Sequence, residues 1–164
     1  MSADVEHLVH GTLVGFAESG VLLTGPSGSG KSDLALRLID TPGLGLGNVL
    51  AAARLVADDQ VLVHAEGDQV VGRPPPALAG RLEVRGIGIV SVPYMASCPI
   101  ALVVELVTDS ALDRMPEPTR STLCGISLPS ARLAAFEVSA TAKLRAMMAV
   151  LTSDLRSGEI HKAK

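Results

Sequence analysis

Between Gly25 and Ser32 the chain reads GPSGSGKS, and residues of those types at that spacing suit one chemistry, the holding of phosphate. Gly25, Gly28 and Gly30 permit backbone conformations that side chains forbid, so successive N–H groups can turn inward toward phosphate oxygens at a helix N-terminus. Pro26, Ser27 and Ser29 fill out the loop. Lys31 would bring a point charge to the outer phosphates and Ser32 a hydroxyl to Mg²⁺, completing the G-x-x-x-x-G-K-[ST] pattern.

That pattern carries weight only with a strand before it and a helix after it. Both are legible: Val21 to Thr24 is an apolar, strand-forming run, and Leu34, Leu38 and Ile39 fall on one side of a helix expected over Ser32 to Ile39. A magnesium nucleotide also needs an acid at the end of a neighbouring strand. RLVADD supplies two, Asp58 and Asp59. Neighbouring strand residues face opposite ways, so one of the pair suits the metal or its water and the other an acceptor hydroxyl, an assignment the sequence leaves open. The plainer alternative is an Asx turn at a strand end. In GRLEVRGIGIVSV, Leu82 and Val84 share one face while Glu83 and Arg85 share the other, just before Gly86 and Gly88. Such a charged pair is poor core material; a surface ion pair is its bland reading. His10 stands 21 residues ahead of Lys31, at the start of the strand expected to pair with the loop strand. Alone it reads as a structural histidine, as do His7, His64 and His161, and Arg114 in ALDRMPEPTR reads as a solvated loop arginine.

The rest of the chain must position these groups. At 164 residues it suits one domain, spanning 1–164, with a core that needs no disulfide or structural metal. HGTLVGF and VLLTG read as two strands around a tight turn, QVLVHAEGDQVVG as a hairpin turning at EGD, and IALVVELV as a buried strand. The segment 109–129 reads as irregular, and FEVSATAKLRAMMAVLTSDLRSG as a closing helix with Gly158 near its end. Many strands around few helices argue for α/β architecture with a mixed sheet. TPGLGLGN and RPPP punctuate the domain.

Composition narrows the function. Aromatics make up 2% and the net charge is −3, so neither the stacking platform nor the basic footprint of a nucleic-acid binder is present. Cys98 and Cys124 lack CxxC spacing and read as reduced, buried or inert. The N-terminus MSADVEHLVH carries acids where a signal peptide carries bases, and the apolar runs are too short to span a bilayer, so a cytoplasmic protein with no membrane partner is expected.

Taken together, HG before the loop strand, GPSGSGKS, LVADD and LEVRGIGIVSV resemble the catalytic domain of bacterial HPr kinase/phosphorylase. The resemblance runs from about His10 to Val92 and, more weakly, on to DRM at Asp113 to Met115. It implies a kinase core like that of phosphoenolpyruvate carboxykinase. It also implies a protein-serine kinase that uses ATP, or in some members pyrophosphate, on a serine of HPr, the phosphocarrier of the sugar phosphotransferase system. The reverse reaction of the family lets inorganic phosphate attack the phosphoserine, releasing pyrophosphate. By position the resemblance implies Lys31 as the phosphate-loop lysine and Ser32 and Glu83 as Mg²⁺ ligands, with Asp58 beside them. Asp59 becomes the carboxylate that takes the serine proton and returns it, His10 an active-site histidine, Arg114 a catalytic arginine, and Glu83, Arg85, Gly86 and Gly88 part of the signature segment. A homo-oligomer is implied too, the family forming hexamers. The chain departs from longer members in starting nine residues before His10, like short forms without an N-terminal domain. The connector TPGLGLGNVLAA looks long. ISLPSARLAAF offers only Arg132 where the family has a basic, Gly-containing loop linked to phosphorolysis. The competing readings are a metabolite kinase or nucleotide hydrolase on a related scaffold, and a regulatory module that binds nucleotide without turnover.

Overall fold

A computed structural model describes residues 5–41 and 52–157, with side chains as far as 151 in the last helix. The connector from 42 to 51, His161 and Gly158 lie outside the described residues. β1 (His7–His10), β2 (Thr12–Phe16) and β3 (Ser19–Thr24) lead into the glycine loop and α1 (Lys31–Asp40). Next come β4 (Ala53–Ala57), β5 (Gln60–Glu66), β6 (Gln69–Arg73), the hairpin β7 (Arg81–Val84) and β8 (Gly88–Ser91), and β9 (Cys98–Leu106). β10 (Thr119–Leu123), β11 (Ile126–Leu133) and α2 (Ala140–Ser157) complete the order.

The main sheet is mixed. Its strand path is β1-β5-β6-β9-β3-β2-β4, with β3 and β9 parallel and β2 and β3 antiparallel. β9 is long enough to share one edge: β6 pairs with its start at Cys98 and Pro99, and β11 runs parallel to its end at Val103 to Leu106. The sheet therefore branches at β9, which brings the ends of β3, β9 and β11 together beside the glycine loop.

Side chains along each strand alternate between two cores. Val21 and Leu23 of β3, with Leu102, Val104 and Leu106 of β9, join Leu34 and Leu38 of α1 and Leu144 and Met148 of α2. Leu22 and Val103 point the other way, into a cluster with Leu13, Val61, Val63 and Val70. Strands buried on both faces read as continuous apolar runs, and aliphatic side chains at about 1.5–3 kcal/mol each do here what aromatics do elsewhere.

Three expectations change. The segment 109–129 is not irregular throughout, since it holds a 3-10 turn at Asp109–Ala111, then β10, which pairs with β11 across the turn at Cys124 and Gly125. Its alternation of Thr, Arg and Ser at an exposed edge carries no apolar signal, so periodicity misses it. Most of ISLPSARLAAF, Ile126–Leu133, is accordingly strand β11, with the chain leaving the sheet at 134–136. The closing helix begins at Ala140, with 136–139 a turn. His10, finally, ends β1, which pairs with β5, and Gly11 separates it from β2. A Cβ at Gly11 would sit 2.7 Å from the Leu23 carbonyl oxygen, so only glycine lets the chain pass this close to the loop strand.

Candidate functional site

α1 starts at Lys31, directly behind a loop whose Gly25, Gly28 and Gly30 have φ of 140°, 80° and 96°. Those values are open to glycine and strained for other residues. Gly25 and Gly30 are also hemmed in: a Cβ would lie 2.8 Å from Ser29 Oγ at Gly25, and 2.9 Å from both Ala135 Cβ and Phe136 Cζ at Gly30. Lys31 is buried, and its Nζ donates to the carbonyls of Gly25 and Pro26 at 2.9 and 3.0 Å. The lysine thus closes its own loop. Ser29 Oγ is buried with no hydrogen-bond partner among the described residues.

The two aspartates, equivalent by sequence, are divided by the backbone. Asp58 is 5% exposed. Its Oδ1 accepts from Thr12 Oγ1 and Ser32 Oγ, each at 2.8 Å, and its Oδ2 accepts from the Glu83 N–H at 3.1 Å. One carboxylate thereby ties β2, α1 and β7 together. Asp59 stands at φ 68°, with the Gln60 N–H donating to the Asp58 carbonyl at 2.8 Å across it. That is a γ-turn of the positive-φ kind, rare and strained, and strain of this sort gathers at working sites. The turn is pinned by the Gly11 N–H donating to the Asp59 carbonyl at 3.1 Å. It lifts the Asp59 carboxylate outward, where Oδ1 lies 3.5 Å from His10 Nδ1 with the two side chains 62% and 55% exposed.

A cleft of about 250 Å³ runs between these groups. It brings together His10, Lys31, Ser32, Asp59, Glu83 and Arg85, with Ser27, Gly28 and Gly30 of the loop on its wall. Asp58 lies beneath, reaching the cleft through the Ser32 hydroxyl. Arg114 is exposed in the segment before β10 and does not line this cleft, and Gly86 and Gly88 shape the β7–β8 turn at φ 87° and 116° without lining it. Among the described residues no three His, Cys, Asp or Glu side chains gather as a metal centre. The donors near the loop are a hydroxyl and carboxylates, Ser32, Asp58 and Glu83. Such a hard, sparse oxygen set fits Mg²⁺, which takes one or two carboxylates and completes its shell with substrate phosphates.

Two residues here escape the sequence reading. Thr12, fully buried and donating to Asp58, is signalled only by a lone polar residue within an apolar strand. Phe136, on the rim over Gly30, is hidden by its expected place in a helix.

A mixed sheet carrying a strand, glycine loop and helix over a buried aspartate defines an α/β domain with a glycine-loop strand–helix unit at its centre. The chain belongs to the family described as HPr serine kinase C-terminal domain, whose sequence model matches residues 3–159. An HPr kinase/phosphorylase of Limosilactobacillus reuteri is 38% identical over 133 residues, covering 74% of this chain and 38% of that protein. One of Shouchella clausii is 47% identical over 85 residues, covering 51% of this chain and 24% of that protein. The chain thus spans well under half the length of these relatives. In fold it is similar to the solved Hpr(Ser) kinase/phosphatase of Coxiella burnetii, with a TM-score of 0.70, 24% identity and coverage of 92% of this chain and 96% of that one. No helix among the described residues is long and apolar enough to cross a membrane.

Proposed function

We propose that this chain is an ATP-dependent protein-serine kinase domain that phosphorylates HPr and also runs the reverse phosphorolysis. The observation that carries the reading is the division of labour between Asp58 and Asp59. One carboxylate is buried and spent on holding the Ser32 hydroxyl; the other is held open over the phosphate loop beside His10. A nucleotide-binding module needs the first and has no use for the second. Ile87 and Ile89, exposed on the β7–β8 hairpin next to the cleft, favour a protein acceptor over a small metabolite.

In the forward direction Lys31 trades its contacts with the Gly25 and Pro26 carbonyls for phosphate oxygens, and the loop N–H groups hold the polyphosphate in line. The HPr serine hydroxyl donates to Asp59. Its oxygen forms a bond to the γ-phosphorus, the bond to the ADP oxygen breaks, and the serine proton passes to the Asp59 carboxylate. A strong base is unnecessary, because the proton leaves late in a loose phosphoryl-transfer transition state. In reverse, an oxygen of inorganic phosphate attacks the phosphoserine phosphorus, Asp59 returns its proton to the departing serine oxygen, and pyrophosphate leaves. His10 positions Asp59. Ser32 and Glu83 would hold Mg²⁺, with Asp58 behind them on the Ser32 hydroxyl; when bound, the ion neutralises charge on the transferring phosphate. Arg85 is the cation on the acceptor side of the cleft, and Arg114 acts only if its segment closes over the site.

The test is transfer of label from γ-labelled ATP with Mg²⁺ to purified HPr. Acid-stable label that disappears with Lys31→Ala supports the reading, and its loss on adding inorganic phosphate supports phosphorolysis. Nucleotide binding without label on HPr would sink it.

A further inference from the structure

A second cleft, of about 610 Å³, lies on the opposite flank of the glycine loop, within the range of small-molecule sites. Ser27, Gly28 and Phe136 line both clefts. The two differ in the cations they offer. The first holds the cations Lys31 and Arg85 and the imidazole of His10 among the carboxylates of Asp33, Asp59 and Glu83. Among the described residues the second has no basic side chain on its wall; it is built from Leu106, Val107, Ala134 and Ala135, with the carboxylates of Asp109 and Glu137 at its edge. Phosphate finds cations and the loop N–H groups in the first, whereas the second, where Lys143 already pairs with Glu137, suits an uncharged, flat, partly apolar group.

We infer that this second cleft is the nucleobase subsite of the phosphate donor, with Phe136 as the surface on which the base stacks. The inference rests on the proposal that the loop holds a polyphosphate. If the terminal phosphate lies by Lys31 and Asp59, the chain of phosphates runs back over Ser27 and Gly28, and whatever is attached to it enters the second cleft. Phe136 is 72% exposed, an unusual position for one of two phenylalanines in the chain, while its ring edge meets the loop at Gly30. The wall is fixed before any ligand arrives. The Val107 N–H donates to the Leu133 carbonyl at 3.0 Å, joining the ends of β9 and β11, and Arg37 of α1 donates to the Ala135 carbonyl. A preformed wall spares the ordering entropy of binding. It follows that the donor carries a nucleoside, and that inorganic polyphosphate fills only half the site.

Calorimetric titration of the whole chain in Mg²⁺ with ATP, and separately with inorganic tripolyphosphate, tests this for wild type, Phe136→Ala and Phe136→Tyr. ATP is expected to bind wild type about tenfold more tightly than tripolyphosphate, in line with base–aromatic stacking. Phe136→Ala should remove that advantage and leave tripolyphosphate affinity within about twofold, with Phe136→Tyr restoring it. Equal affinity of the two ligands for wild type, or an equal loss for both in Phe136→Ala, overturns the subsite while leaving the phosphate loop intact. If neither ligand binds wild type, the phosphate reading falls and takes the subsite with it.

Discussion

Ser32 Oγ donates to Asp58 Oδ1 across 2.8 Å, joining the first turn of α1 to the end of β4 beneath the phosphate loop. Because Thr12 Oγ1 and the Glu83 N–H use the same carboxylate, its removal strands three donors at once, two of them hydroxyls that could turn elsewhere and one a fixed backbone group. Asp58→Ala is expected to destabilise the chain by about 2 kcal/mol, the scale of leaving buried polar groups unpaired. Asp58→Asn should fall between, since its oxygen serves the hydroxyls but its NH₂ confronts the Glu83 N–H. Urea unfolding measures this, and a wild-type midpoint for Asp58→Ala would show that the network holds nothing.

Asp59 carries backbone strain that a glycine would release. Asp59→Gly should therefore fold as stably as wild type or up to about 1 kcal/mol better, the left-handed cost falling while unfolded-chain entropy rises. Its transfer activity should nevertheless be lost. Asp59→Asn keeps the shape and should lower transfer to HPr by about 10²- to 10⁴-fold, the range for removing a general base, with ATP affinity within about twofold. Retained transfer in both variants would make the strained turn a structural accident.

The loop, its flanking strand and helix, and the segment ending in two acids are legible in the sequence because each obeys a local rule: glycines where φ is positive, apolar period for α1, acids at a strand end. The roles of Asp58 and Asp59 are not, since one γ-turn rather than strand alternation sends them apart. β10 is invisible for a different reason. TRSTL lies at an edge and buries little, so it is a strand only because β11 pairs with it. Gly11, which the sequence offers merely as the neighbour of His10, turns out to be the closest approach of two chain segments near the site.

Burial separates the two cysteines in a way that pH can read. Desolvation pushes the Cys98 thiol up to about 11, against an ordinary value of 9.0, so the native state keeps a proton that the unfolded state releases. The resulting stability is present in full below pH 9 and is lost as pH rises through about 11, on the order of 2 kcal/mol. Urea midpoints between pH 8 and 10.5 should thus fall more steeply for wild type than for Cys98→Ala. At pH 8 a thiol reagent should modify the half-buried Cys124 in the native protein and Cys98 only on unfolding. Equal labelling rates would contradict the burial.

Arg145 of α2 holds the far end of the helix that the phosphate loop begins. Its Nη2 donates to the carbonyls of Leu38 and Thr41 at 2.9 and 2.8 Å, and its guanidinium lies 5.3 Å from the centre of the Phe16 ring. Those carbonyls end α1 and have no helical partner of their own, while burial lowers the affinity of the guanidinium for its proton. A buried cation is tolerated here because a helix C-terminus and an aromatic face both attract it. Arg145→Ala should cost about 3 kcal/mol, a fall in melting temperature of about 6–12 °C for a chain of this size. Arg145→Lys should recover part of that, as an ammonium can reach the carbonyls but cannot present the planar fork. A melting temperature for Arg145→Ala within about 2 °C of wild type would mean that the C-terminal end of α1 does not depend on this cation. The loop would then owe its position to Leu34 and Leu38 and to the Ser32–Asp58 bond rather than to this distal anchor.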